Sequence, residues 1–235
     1  MNETWDDYRR LTAGTEAFVL PDWSVIEIRG EDWREWLQGQ VTNDLRKLTP
    51  ESPLKVCVCK PTGQIVSFGE IQDTGEVARF FLPTPTVEVV LQRLEQMVIL
   101  EDCEGELLST RVSWTGNGFG LASEESEISE PAWRLFSLER KMPNWLYDIQ
   151  SKTLPPELGP AIDERFVSYD KGCYTGQEVL QRIHSRGHTN RTWVVERSES
   201  AEVTRPGFEQ TNQAEHPDGY WLVAGYQRNQ VATEA

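Results

Sequence analysis

Between Leu54 and Leu82 the chain reads as three short apolar runs separated by turn residues, and this patterning restricts the fold more than any other feature of the sequence. Leu54–Cys59 and Ile65–Ile71 are joined by Lys60-Pro61-Thr62-Gly63-Gln64. Proline presets a turn there and glycine supplies a positive φ, so the two runs predict a β-hairpin. Ala78–Leu82 adds a third strand and completes an antiparallel meander. Thr86 then caps a helix whose Val87, Val90, Leu91, Leu94 and Val98 share one face. Upstream, Trp23 opens a strand over Ser24–Arg29. From Glu31 the spacing of Trp33, Trp36 and Leu37 predicts a helix that stops at Gly39, followed by a brief helical turn around Thr42–Leu45. Antiparallel strands mixed with helices in this order point to an α+β fold and away from a doubly wound parallel sheet.

The rest of the chain is less regular. Glu106–Trp114 reads as one strand, and 115–131, with three glycines and then SEESEISEP, as an acidic linker. Trp133–Leu138 reads as a strand, Lys152–Asp163 as a proline-rich extended connector, and Trp193–Arg197 and Tyr220–Tyr226 as strands flanking a loop with Pro206-Gly207. A short, frayed helix is expected over residues 1–14 and a disordered tail over QRNQVATEA. This divides the chain into an N-terminal α+β unit (1–114), the linker (115–131), a second unit (132–190) and a C-terminal segment (191–235).

With 235 residues, 38% hydrophobic and 26% charged, the chain is that of a soluble protein with one large core or a few small ones. No apolar run approaches the roughly 20 residues of a membrane span, and residues 1–20 lack the basic start and apolar core of an export signal, so the expected compartment is the cytoplasm. Its four cysteines are then reduced thiols. Cys57-x-Cys59 places both side chains on one face of a strand and lacks the spacing of zinc or cluster loops, so Cys57, Cys59 and Cys103 read as small buried apolar residues. His184 and His188 are four apart, but Gly187 interrupts the helix that would align them, and no metal site is expected.

Chemistry concentrates in Asp170–Arg191, DKGCYTGQEVLQRIHSRGHTNR. Thr175 and Glu178 have the spacing of a capping box ahead of Val179, Leu180 and Ile183, which predicts a helix ending near Gly187. Cys173 precedes this N-terminus, where the helix dipole and Lys171 favour a thiolate. Such surroundings lower a thiol pKa from about 8.5 to roughly 3.5–7.5. From Lys171 to Trp193 four Lys or Arg face one acid in a chain of net charge -15, a local basic patch that suits a small anionic ligand better than a nucleic-acid backbone. The competing reading of each arginine is a salt bridge, and for Arg182 it is an i, i+4 pair with Glu178.

Lys171-Gly172-Cys173-Tyr174-Thr175-Gly176-Gln177-Glu178 followed by Arg182 resembles the K-G-C-Y-x-G-Q-E-x3-R signature of the YgfZ-like folate-binding proteins, relatives of the glycine cleavage T-protein. Leu37-Gln38-Gly39-Gln40-Val41-Thr42-Asn43-Asp44 resembles the family's L-Q-G-Q-x-T-x-D, and Val167-Ser168-Tyr169 a segment ahead of the signature. The resemblance implies a T-protein-like fold of two interleaved subdomains with a small C-terminal β-barrel, shortened here. It implies a tetrahydrofolate site in which Trp23 and Trp133 stack on the pterin and Tyr174, Gln177 and Arg182 assist. Cys173 is then the reactive group, with Lys171 and Glu178 beside it and the sulfur facing the folate cavity. One departure is Lys141, where the family segment after the second tryptophan has glycine. The function implied is an accessory factor for iron-sulfur enzymes, including tRNA-modifying ones, with iron-sulfur proteins or cluster-assembly factors as partners. The alternative is a tetrahydrofolate-dependent aminomethyl or one-carbon transferase, for which no T-protein-like aspartate can be placed. Direct RNA binding fits poorly with so acidic a chain.

Overall fold

The computed structural model describes residues 3–116, 118–122 and 126–229. The chain opens with helix α1 (Glu3–Ala13) and strand β1 (Phe18–Leu20), then builds a five-stranded antiparallel sheet. Its strands are β2 (Trp23–Arg29), β3 (Leu54–Cys59), β4 (Ile65–Asp73), β5 (Ala78–Pro83) and β6 (Glu104–Leu107), in the order β3-β4-β5-β2-β6. The meander expected from the turn residues is therefore its centre. Period-2 alternation sends Ile26, Ile28, Val56, Ile71 and Phe80 to one face, beneath α2 (Trp33–Gln38) and α3 (Val87–Met97). Val25, Cys57, Phe68 and Phe81 point to the other, which packs on the rest of the molecule. Both faces are buried, which is why these strands carry so few polar positions.

A second sheet, in the order β8-β7-β1-β9, draws on the start and the middle of the sequence. It joins β1 to β7 (Val112–Trp114), β8 (Phe119–Leu121) and β9 (Ser126–Glu127), and α1 packs against α4 (Glu130–Glu139). The two units are interleaved because the start of the chain completes the second one. Helices α5 (Pro160–Phe166) and α6 (Gln177–Arg186) follow, and then β10 (Arg191–Ser198), β11 (Phe208–Glu215) and β12 (Trp221–Arg228).

The structure departs from the sequence expectation at six places. The apolar run 106–114 is two strands in different sheets, β6 and β7. The stretch read as a linker supplies β8 and β9; residues 117 and 123–125 lie outside the described residues. Trp133–Leu138 is helical: Pro131 occupies the first turn of α4, where its missing N–H costs nothing, and a short apolar run alone does not separate a buried helix from a strand. The connector 152–163 contains a 3-10 turn, Pro155–Leu158, and the start of α5. Finally, the described C-terminal strands form an open three-stranded antiparallel sheet, β10-β12-β11, and not a closed barrel. Its strand β11, FEQTNQAE, is too polar to announce itself. Of the tail expected to be disordered, Gln227 and Arg228 belong to β12, and 230–235 lie outside the described residues.

The C-terminal sheet is fastened to the core through Asp148, which is fully buried. Its carboxylate accepts from Trp193 Nε1 (3.0 Å), Thr211 Oγ1 (2.5 Å), Asn212 Nδ2 (3.3 Å) and the backbone N–H of Asn144 (2.9 Å), while its carbonyl accepts from the Tyr226 hydroxyl (2.8 Å). Burial raises its pKa, and the four donors oppose that shift. Asp148→Ala leaves those donors unpaired in the core, and we expect a loss of roughly 3 kcal/mol in urea unfolding; a loss under about 1 kcal/mol would contradict this role.

Candidate functional site

The sheet face that carries Phe68 forms the floor of a narrow slot between the two units. Trp23, at the start of β2, lies tilted against Phe119 (centroids 4.3 Å apart) and edge-on to Phe68 (6.2 Å). Trp145 faces Phe68 from the opposite side (5.9 Å), and Trp133 lines the wall from α4, stacked on Phe136 (5.5 Å). The atom-free space, with the open mouth included, is about 700 Å³, of which only about 50 Å³ is wide enough for the centre of a water-sized sphere. The first figure includes open solvent, and the second makes this a narrow slot and not a hollow. Trp23, Phe68, Trp133 and Trp145 give the slot aromatic walls.

Four charged residues line the slot among these aromatics: Asp22, Lys55, Glu70 and Arg165. Glu70 is buried, and desolvation raises its pKa while Gln72 Nε2 (3.0 Å), Lys55 and the backbone of Phe119 hold it down. Lys55 is half-buried; desolvation first, then Arg165, lowers its pKa, against the pull of Glu70. Arg165 stands exposed at the mouth.

The loop over Met142–Leu146 closes one side of the slot. Asp148 holds its Asn144 N–H, so the C-terminal sheet fixes the slot wall. The loop leaves α4 through Lys141, at φ 52°, a left-handed conformation that glycine adopts freely. The family glycine at this position is thus explained, and this chain accepts strain there.

The signature segment lies apart from the slot. The Lys171 ammonium is buried and donates to the carbonyls of Gln38 (2.5 Å), Val41 (2.8 Å) and Asn43 (2.8 Å), which uses its three protons. Burial pushes its pKa down to about 8, so it remains charged at neutral pH. The Thr175 N–H donates to Gly39 O (3.2 Å) and the Ser168 N–H to Thr42 O (3.0 Å). The two motifs read separately in the sequence are therefore one structural unit. Asn43 continues it towards the slot, donating both amide protons, to the carbonyls of Lys55 and Arg165 (2.8 Å each).

The positions in this unit divide sharply. Tyr174 is buried, its ring 5.0 Å from the Lys171 ammonium, and its hydroxyl has no partner. Gly176, and not Thr175, caps α6, at φ 89°; a Cβ there would stand 2.6 Å from Lys60 O in the hairpin turn. The expected capping box is absent: Glu178 is exposed and pairs with Arg182 at 3.3 Å, the competing explanation considered for that arginine. Gln177 Nε2 donates to Lys171 O (3.3 Å). Cys173 is exposed, whereas Cys57, Cys59 and Cys103 are buried. Burial raises the Cys57 thiol and pushes Cys59 up to about 12 and Cys103 up to about 11.

Of the residues singled out in the sequence, Trp23 and Trp133 meet in the slot, while Lys171, Cys173, Tyr174, Gln177, Glu178 and Arg182 do not line it. The expectation that the sulfur faces the cavity is corrected accordingly, and Lys171 is a structural clamp with no free proton to offer. Trp145, Lys55, Glu70 and Arg165 were missed. A signal existed for two of them: Lys55 and Glu70 are charges at inward positions of otherwise apolar strands.

The described residues contain no group of three or more His, Cys, Asp or Glu able to hold a metal ion, and no helix long and apolar enough to cross a membrane. Interleaved α+β units with an aromatic slot between them define the class. The chain superposes on the glycine cleavage system aminomethyltransferase T of Bartonella henselae with TM-score 0.79, covering 96% of this chain and 81% of that one at 13% identity. No protein-family model matches it. It is similar to the tRNA-modifying protein YgfZ of Vibrio atlanticus (24% identical over 274 residues, 94% of this chain and 84% of the relative). It is also similar to YgfZ of Escherichia coli O127:H6 (26% over 234 residues, 77% and 72%). The chain is YgfZ-like, with the fold of the T-protein.

Two backbone predictions follow from the positive-φ sites. Gly176→Ala forces a side chain into left-handed backbone against Lys60 O and is expected to cost roughly 2–4 kcal/mol in chemical denaturation. Lys141→Gly relieves its strain and is expected to gain roughly 0.5–1 kcal/mol; a loss on this change would contradict the strain argument.

Proposed function

We propose that the chain is a tetrahydrofolate-binding accessory factor that supports iron-sulfur enzymes, among them enzymes that modify tRNA. The observation that carries this is the slot: two tryptophans 110 positions apart in sequence, both marked by the family resemblance, line a single narrow gap. The residues present fit a reduced folate. Trp23, Trp145 and Phe68 offer faces for the pterin, Lys55 and Glu70 offer polar contacts on the floor, and Arg165 stands at the mouth, where an anionic glutamate tail would leave. When bound, the folate supplies a carrier for one-carbon units and an oxidisable pterin. The chain's own contribution is to hold the ring flat, exclude water from its faces and fix its edge.

Cys173 is the second functional element, an exposed thiol on a segment held rigidly from both sides. Its roles in this reading are those of a nucleophile, a redox thiol or a transient cluster ligand for a client protein. Its unpaired state, shared by all four cysteines, suits a reducing compartment such as the cytoplasm. The transferase alternative is favoured by the T-protein fold, but a fold does not carry a reaction.

Tetrahydrofolate titration followed by tryptophan fluorescence tests the slot. Trp23→Ala is expected to weaken binding about tenfold or more, and Trp133→Phe, chosen to spare the core, by less. Unchanged affinity in both would remove folate from this slot. For the thiol, Cys173→Ala is expected to fail in rescuing the activity of iron-sulfur tRNA-modifying enzymes in cells lacking the protein while still binding folate; full rescue would take the sulfur out of the mechanism.

A further inference from the structure

Lys55 and Glu70 stand directly opposite each other on the β3–β4 ladder, on the sheet face that floors the slot. Cross-strand neighbours of this kind have Cβ atoms about 4.5–5.5 Å apart. Yet among the described residues no ion pair closes between them, and the Lys55 ammonium has no hydrogen-bond partner. Glu70 has used only part of its acceptor capacity, on Gln72 and the Phe119 backbone. A half-buried ammonium that faces a buried carboxylate, attracts it and closes no ion pair with it leaves room for a third group between them. The floor thus presents two free acceptor positions and one donor, side by side, at the base of a gap for a flat ring.

We infer that Lys55 and Glu70 together read the 2-amino-4-oxopyrimidine edge of the ligand, with the carboxylate of Glu70 accepting from the 2-amino group and N3–H and the ammonium of Lys55 donating to the 4-oxo oxygen. That edge is donor, donor, acceptor, the complement of the floor. A 2,4-diamino ring places an amine against the ammonium and lacks the N3 proton, and a 2,4-dioxo ring places an oxygen against the carboxylate, so both are rejected. Pterins and guanine share the accepted edge. The inference rests on the slot being the ligand site proposed above and adds the group that selects the ring.

Folic acid and its 4-amino analogue aminopterin differ at the 4-position, which Lys55 would read, and in the N3 proton, which Glu70 would accept, so the unaltered full-length chain provides the first test of the pair, by calorimetric titration, without any variant. Folic acid is expected to bind at least about tenfold more tightly, the scale of one hydrogen bond to a charged group. Lys55→Met is expected to reduce that preference, leaving the part owed to N3–H and Glu70, and Glu70→Gln to weaken folic acid by about ten- to a hundredfold. Thermal melts check that both variants fold. Guanosine and inosine, which differ by the 2-amino group, distinguish the sources of the edge. If folic acid binds but aminopterin binds equally well, or both variants bind folic acid like the parent, the inference falls and the folate reading stands. If folic acid does not bind while guanosine binds in a Glu70-dependent manner and inosine more weakly, the edge reading stands and the folate reading falls. If none of the four binds, both fall.

Discussion

The Lys171 clamp is the interaction on which the arrangement of the site depends. Burying an ammonium costs several kcal/mol unless every proton is matched, and here three backbone carbonyls supply the match. One belongs to Gln38, the last residue of α2, where carbonyls lack intrahelical partners and the helix dipole is negative. The clamp therefore satisfies a helix end, fixes the irregular loop after it and orients Asn43 in one step. Asn43 then places the backbones of Lys55 and Arg165, two of the charged residues of the slot. Methionine or alanine in place of Lys171 would take the ammonium donor from three carbonyls, and the slot floor would lose its reference point.

What the sequence revealed and what it concealed divide along the same physical line. The hairpin, the helix faces and the glycine turns were legible because each is a local property, set by period and by backbone conformation. Gly176 is an instructive intermediate: its presence in a motif was visible, but its reason is the approach of a hairpin turn more than 110 residues earlier, with Lys60 O where a Cβ would be. Trp133 was placed on the wrong type of element, since an apolar run of six residues fits helix and strand alike, although Pro131 was a usable helix-start signal. Strand β11 escaped because its inward residues are polar for a purpose: Thr211 and Asn212 serve Asp148. Lys55 and Glu70 were passed over because the strands that hold them were read for their apolar pattern, when the exceptions to that pattern carried the information.

Asp148 shows why the C-terminal segment is retained even as an open sheet. Its strands cover little of the slot themselves, yet they supply three of the donors that hold Asp148, and Asp148 holds the loop bearing Trp145. A wall of a binding slot built on a loop needs such support, because a loop alone lacks the packing that locks an aromatic side chain in place.

The signature K-G-C-Y-T-G-Q-E can now be divided by what each side chain touches. Lys171 clamps, Tyr174 fills the core beneath it, Gly176 permits the turn contact, Gln177 closes back on the Lys171 carbonyl, and Glu178 pairs with Arg182 on the surface. Cys173 stands outside this division of labour, exposed on a segment whose neighbours are all occupied. A scaffold that presents one thiol to solvent, while three other cysteines are buried with raised pKa values, confines thiol chemistry to one place. Cys173 is not among the residues that line the slot, and hydrogen bonds through Lys171 and Asn43 link the two segments. The clamp therefore gives the thiol segment and the slot floor one shared backbone reference, and a change that loosens Lys171 reaches both.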